Sequence, residues 1–135
     1  MLVGFAERDI LIEYIRMTRK ETTLLTYEKF TNLIYYSKNL INKFPKSERF
    51  DLCTDIKSLL YTILRNIIYA WKEYNNYKRL EILKQIDVDL IVLKSMIRLS
   101  YNYTYITNKN FMVWDSKIAE IGRLIGGWIK TCQKE

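Results

Sequence analysis

The stretch Asp55-Ile56-Lys57-Ser58-Leu59-Leu60-Tyr61-Thr62-Ile63-Leu64-Arg65-Asn66-Ile67-Ile68-Tyr69-Ala70-Trp71-Lys72 carries apolar residues at 56, 59, 60, 63, 64, 67, 68 and 71. Steps of three, one and three follow the helical period and gather these side chains on one broad face, whereas a strand would scatter them over both. The same period recurs on either side. From Tyr27 it runs through Phe30, Leu33, Ile34, Leu40 and Ile41. Further on it runs through Leu80, Leu83, Ile86, Leu90, Leu93 and Ile97, and then through Phe111, Trp114, Ile118, Ile121, Ile125, Trp128 and Cys132.

Three breaks separate these stretches. Pro45 biases Phe44 out of the helical region and ends the first, after which Ser47 or Asp51 can cap the second. Tyr74-Asn75-Asn76-Tyr77 marks the next turn. Tyr105-Ile106-Thr107-Asn108-Lys109-Asn110 marks the last, with Thr107 or Asn108 as the cap. Four amphipathic helices with short connections predict an all-α fold, an antiparallel up-down four-helix bundle spanning 26–135. Residues 1–25 form an N-terminal extension. There Phe5, Ile10, Ile12, Tyr14 and Met17 suggest a further helix ending near Lys20, before Thr22-Thr23.

Composition agrees. The chain has 135 residues, about one domain, and its 49% hydrophobic and 27% charged content suits a folded core. With 4 Gly and 1 Pro it lacks the turn residues that a many-stranded sandwich or barrel needs. The absence of His excludes His general acid/base chemistry, His-assisted nucleophiles and His metal sites. Cys53 and Cys132 lack metal or redox spacing and read as buried small apolar residues. Asp87 and Asp89 diverge around their helix, so no paired-carboxylate site is formed. No apolar run reaches the roughly 18 residues of a membrane span, and the start has no signal-peptide apolar region. A cytoplasmic, non-enzymatic protein without cofactor, metal, membrane or small-molecule substrate is the expectation.

The charge is +7, with 22 basic and 15 acidic residues. Four of each cancel within 1–25, which leaves 18 basic and 11 acidic residues in 26–135. A basic bundle favours an anionic partner. On the second helix Lys57, Tyr61, Arg65, Tyr69 and Lys72 are spaced by four, four, four and three, forming one stripe away from the apolar face, with Lys46 and Arg49 just before it. Cations neutralise phosphates, and tyrosine rings stack on unpaired bases or hydrogen-bond a phosphate. The pattern equally suits a solvated face with tyrosines half-buried against a neighbour, and Asp51, Asp55 and Glu73 lie close enough to weaken the field.

Gly122, Gly126 and Gly127 sit inside the last helix, each costing roughly 1 kcal/mol relative to Ala. The spacing of Gly122 and Gly126 lets another backbone approach, within or between subunits. With 11 Tyr and 3 Trp, the aromatic surface exceeds what a small lone bundle hides, which points to a homo-oligomer.

Two stretches carry a family resemblance: Phe44-Pro45-Lys46-Ser47-Glu48-Arg49-Phe50, and Ile118-Ala119-Glu120-Ile121-Gly122-Arg123-Leu124-Ile125-Gly126-Gly127-Trp128-Ile129-Lys130. Together they resemble the accessory variability determinant (Avd) proteins of diversity-generating retroelements. They are similar in turn to the four-helix proteins of ribosomal-RNA intervening sequences, which usually lack the Gly-Gly-Trp-Ile ending. The resemblance covers 26–135 and implies a non-enzymatic homopentamer that binds a reverse transcriptase and its template RNA or cDNA. By that resemblance Lys46, Arg49, Arg123 and Lys130 match basic family positions, while Gly122, Gly126, Gly127 and Trp128 belong to the packing or oligomer motif. The chain departs at Leu52-Cys53-Thr54-Asp55-Ile56, where the family commonly reads Leu-Gly-Asp-Arg-Ile. The alternative function is a protein-protein adaptor, like the intervening-sequence proteins, without direct nucleic-acid contact.

Overall fold

The periodic stretches become four helices: α1 (Glu7–Ile41), α2 (Leu52–Lys72), α3 (Asn76–Asn102) and α4 (Asn108–Lys134), with a 3-10 turn at Lys46–Glu48 between α1 and α2. A computed structural model describes residues 7–134, with side chains described from Thr23 onward. Only residues 73–75 join α2 to α3, and 103–107 join α3 to α4, so consecutive helices must run antiparallel. Each helix packs on two neighbours in a closed square: α1 on α2 and α4, and α3 on α2 and α4. The pairs α1/α3 and α2/α4 therefore lie on the diagonals.

Each helix buries one stripe. Phe30, Leu33, Leu40 and Ile41 of α1 meet Ile56, Leu60, Ile63 and Ile67 of α2, and Leu83, Ile86, Leu90, Leu93 and Ile97 of α3 meet Trp114, Ile118, Ile121, Ile125 and Trp128 of α4 in one core. Trp114 is its largest fully buried side chain. Its Nε1 donates to Ser37 Oγ at 2.8 Å, and that hydroxyl donates to the Leu33 carbonyl at 2.6 Å. The indole N–H of Trp114 is thus satisfied across the α1/α4 contact, as a buried donor requires.

Three expectations change. The extension does not end near Lys20: α1 continues through Thr22-Thr23 without a break. Thr is only mildly unfavourable in a helix, and Thr23 and Thr26 face inward and are buried. Phe5 and the side chains of Ile10, Ile12, Tyr14 and Met17 lie outside the described residues. Second, Ile68 and Trp71 are not in the core but 37% and 48% exposed. The apolar arc of α2 is wider than two neighbouring helices cover. Third, neither Ser47 nor Asp51 caps α2 with its side chain; the Glu48 carboxylate reaches the Leu52 N–H at 3.3 Å instead. The other caps fall within the expected breaks, with Asn75 Oδ1 accepting from Lys78 N at 3.0 Å and Thr107 Oγ1 from Asn110 N at 3.1 Å.

Both ends of the bundle are tied. At one, Arg79 donates to the carbonyls of Ala70 and Glu73, closing α2, while Asn76 Nδ2 donates to the Cys132 carbonyl at 2.6 Å near the end of α4. At the other, α3 ends with Tyr105 N bonding Ser100 O and Thr104 N bonding Tyr101 O. This pair of bonds requires a left-handed residue, and Thr104 supplies it at φ 62°. The turn sends Tyr105 back against Phe44, ring centroids 5.4 Å apart, and its hydroxyl donates to Glu48 at 2.8 Å. Cys53 and Cys132 are both buried and free.

Candidate nucleic-acid interface

The stripe expected on α2 is continuous. Lys57 is half-buried, Tyr61 is 45% and Tyr69 56% exposed, and Arg65 and Lys72 are exposed. At 1.5 Å per residue it extends about 22 Å along the helix. Asp55 is exposed and points about 160° around the helix from Lys57, the stripe cation nearest to it in sequence. Among the described residues the ion pairs are Lys29–Glu120 at 2.9 Å and Lys94–Asp115 at 3.7 Å, so none of the stripe's cations is ion-paired. Lys29, with a hydrogen bond to Glu120, holds that carboxyl below its usual range, on the α1/α4 side of the bundle.

One member is absent from the sequence-based set. Lys38 of α1 reaches across to Tyr61, its Nζ 3.2 Å from the hydroxyl and 5.8 Å from the ring centroid. It widens the stripe onto the neighbouring helix. The available signal was register: residues 38 and 61 lie symmetrically about the turn that follows Pro45, so antiparallel packing sets them opposite one another.

Lys46 and Arg49 are brought to the same end. With Lys57 and Asn42 they line a hollow of about 260 Å³, floored by Ile41, Phe44 and Cys53. Burial pushes the Cys53 thiol above its ordinary value, against the smaller opposing pull of Lys57 and Arg49, so the thiol stays protonated rather than nucleophilic. The Tyr105 hydroxyl is also raised, chiefly by its hydrogen bond to Glu48, and stays a neutral donor.

Arg123 and Lys130 are exposed on α4, across the diagonal from α2, and do not join the stripe. Arg123 borders a second hollow between α3 and α4, with Asp87, Ile91, Lys94, Ala119 and Gly122. Trp128 is buried inside the bundle. A Cβ added at Gly122, Gly126 or Gly127 would meet no atom within 4 Å, so no close approach within this chain calls for glycine there. Among the described residues no cluster of His, Cys, Asp or Glu could hold a metal, and no helix is long and apolar enough to cross a membrane.

A bundle of four helices with the Gly-Gly-Trp motif on its last helix also matches a family model, described as bAvd-like, over residues 24–132. The chain belongs to the bAvd-like family. At family level it is an Avd-type accessory protein, of a non-catalytic kind. Among solved structures it is similar to a protein of unknown function of the S23 ribosomal protein family from Bacteroides thetaiotaomicron VPI-5482. That match has a TM-score of 0.74 at 17% identity and covers 81% of this chain and 98% of that one, which is a likeness of fold. No curated protein matches.

Proposed function

We propose that this bAvd-like protein is a non-enzymatic scaffold of a diversity-generating retroelement. It holds template RNA or cDNA on its α2 face and delivers it to a reverse transcriptase, which performs the chemistry. The observation that carries this is the stripe of Lys57, Tyr61, Arg65, Tyr69 and Lys72, widened by Lys38 and with none of its cations ion-paired among the described residues, on a member of an accessory family. Phosphate neutralisation by such a face gives affinity without sequence readout. With about four phosphates neutralised on a single strand, affinity falls roughly 50-fold between 50 and 200 mM salt. Filter retention of a labelled single-stranded RNA across that salt range measures the slope; a flat profile rejects the reading.

A protein-protein adaptor is the second reading, and the far end of α2 favours it. Trp71 is 48% exposed, and Tyr74 and Tyr77, which follow it in sequence, are 99% and 73% exposed. In the scaffold this aromatic cluster is where the transcriptase docks; in an adaptor it is the whole function. Co-purification that survives nuclease and moderate salt, with no RNA retention, selects the adaptor.

The scaffold is a homo-oligomer, a pentamer by its family resemblance, with Gly122 and Gly126 of α4 in the contact between copies. Ala at either position meets no atom of its own chain, so helix propensity alone should raise the stability of the isolated bundle by about 0.5–1 kcal/mol. The same changes should lower the oligomer mass measured by light scattering. Gly127→Ala, on the exposed side, serves as the comparison. An oligomer unmoved by Gly122→Ala and Gly126→Ala places the contact elsewhere.

A further inference from the structure

The hollow at the start of α2 differs from the stripe in kind. Three cations, Lys46 and Arg49 from the 3-10 turn and its end and Lys57 from α2, converge on one concavity of about 260 Å³, joined by Asn42 from the end of α1. Among the described residues none of the three is ion-paired. Glu48, whose charge acts on Cys53 in the same hollow, has both carboxylate oxygens hydrogen-bonded, by the Tyr105 hydroxyl and the Leu52 N–H. Like charges gathered around a concavity repel unless an anion sits among them.

The walls are held in place rather than hinged. Phe44 packs against Tyr105 and lies edge-on to the buried Trp114, ring centroids 6.5 Å apart, while the Tyr105–Glu48 bond pins the 3-10 turn that presents Lys46 and Arg49. With the backbone fixed in this way, an anion has only the three cationic side chains to order.

We infer that this hollow is a subsite for a terminal phosphate, the monoester end of a nucleic-acid strand whose body lies along the α2 stripe. Two features select a terminus over an internal linkage. A phosphodiester carries one charge, whereas a phosphomonoester carries up to two near neutral pH, the better match for three convergent cations. Lys57 belongs to both the hollow and the stripe, so a strand ending in the hollow continues directly onto Tyr61, Arg65 and Tyr69. The inference rests on the stripe binding nucleic acid and adds where the strand ends.

The test uses the full chain and one oligonucleotide sequence in three forms: 5′-phosphate, 3′-phosphate and hydroxyl at both ends. At least one phosphorylated form should bind about tenfold more tightly than the hydroxyl form, as charge-assisted hydrogen bonds to one added dianion allow. The two phosphorylated arms report which end is held. The double variant Lys46→Gln and Arg49→Gln should remove that preference, so that the phosphorylated and hydroxyl forms bind alike. Both positions are exposed, and circular dichroism checks that the bundle persists. Equal binding of all three forms by the wild-type chain overturns the subsite and leaves the stripe standing. A preference that persists in the double variant also overturns it. Failure of every form to bind overturns the stripe and the subsite together.

Discussion

Reversing Lys57, Arg65 and Lys72 to Glu lowers single-stranded RNA retention at 0.1 M salt by at least about 100-fold. Each lost phosphate contact removes about 0.7 from the logarithm of the affinity at this salt and about 0.7 from the slope, so three remove roughly two logarithmic units before any repulsion is counted. Among the described residues none of the three is ion-paired, Arg65 and Lys72 are exposed and Lys57 is half-buried, and none belongs to the core. Glu is also about as good a helix former as Lys or Arg. The decisive comparison is with charge placed elsewhere. Reversing the exposed Lys78, Lys84 and Lys109, on α3 and α4, changes the formal charge identically, from +7 to +1. A stripe that binds predicts a large loss for the first set and a small one for the second. Equal losses would mean that retention follows net charge and not the α2 face; no loss in the first set removes that face from the function altogether.

The fold was legible because its signals are local. The steps along α2 and α4, Pro45, Asn75 and Thr107 each act over a few residues, and the periods and breaks they imply reappear in four helices. What was not legible depends on neighbours. A wide apolar arc cannot say how much of itself the adjacent helices will cover, which is why Ile68 and Trp71 read as core yet face solvent. Thr22-Thr23 read as a stop because propensity is a weak prior, and inward burial of Thr23 and Thr26 outweighs it. The stripe itself was visible as a four-residue spacing on one helix. Its extension to Lys38 needed the α1/α2 register, and the gathering of Lys46, Arg49 and Lys57 needed the path of the chain through the 3-10 turn. Arg123 and Lys130 share the sign of the stripe but stand across a diagonal, a separation that charge counting does not show.

Trp114→Ala is expected to be among the most destabilising single changes in the described core, at about 3–5 kcal/mol. The side chain is fully buried, and its removal leaves a cavity bordered by Phe44 and opens the Ser37 bond between α1 and α4. Against a typical total of about 5–15 kcal/mol, this is a large share of the stability. The hydrogen bond separates from the packing in a cycle. Ser37→Ala leaves the indole N–H buried and unpaired, costing about 1–3 kcal/mol, whereas Trp114→Phe removes that donor and keeps most of the ring. In the double variant the unpaired donor is gone, so the two costs should sum to more than the combined effect, by about 1 kcal/mol. Urea unfolding of the four proteins measures this difference; strict additivity would show that the bond contributes nothing and that Ser37 is merely a small residue that fits. The same cycle reaches the binding face. Phe44 leans on Trp114 and carries the chain into the 3-10 turn, so Trp114→Ala should blur any preference for a terminal phosphate before it weakens retention along α2. Trp114→Phe, which keeps a ring against Phe44, should preserve both.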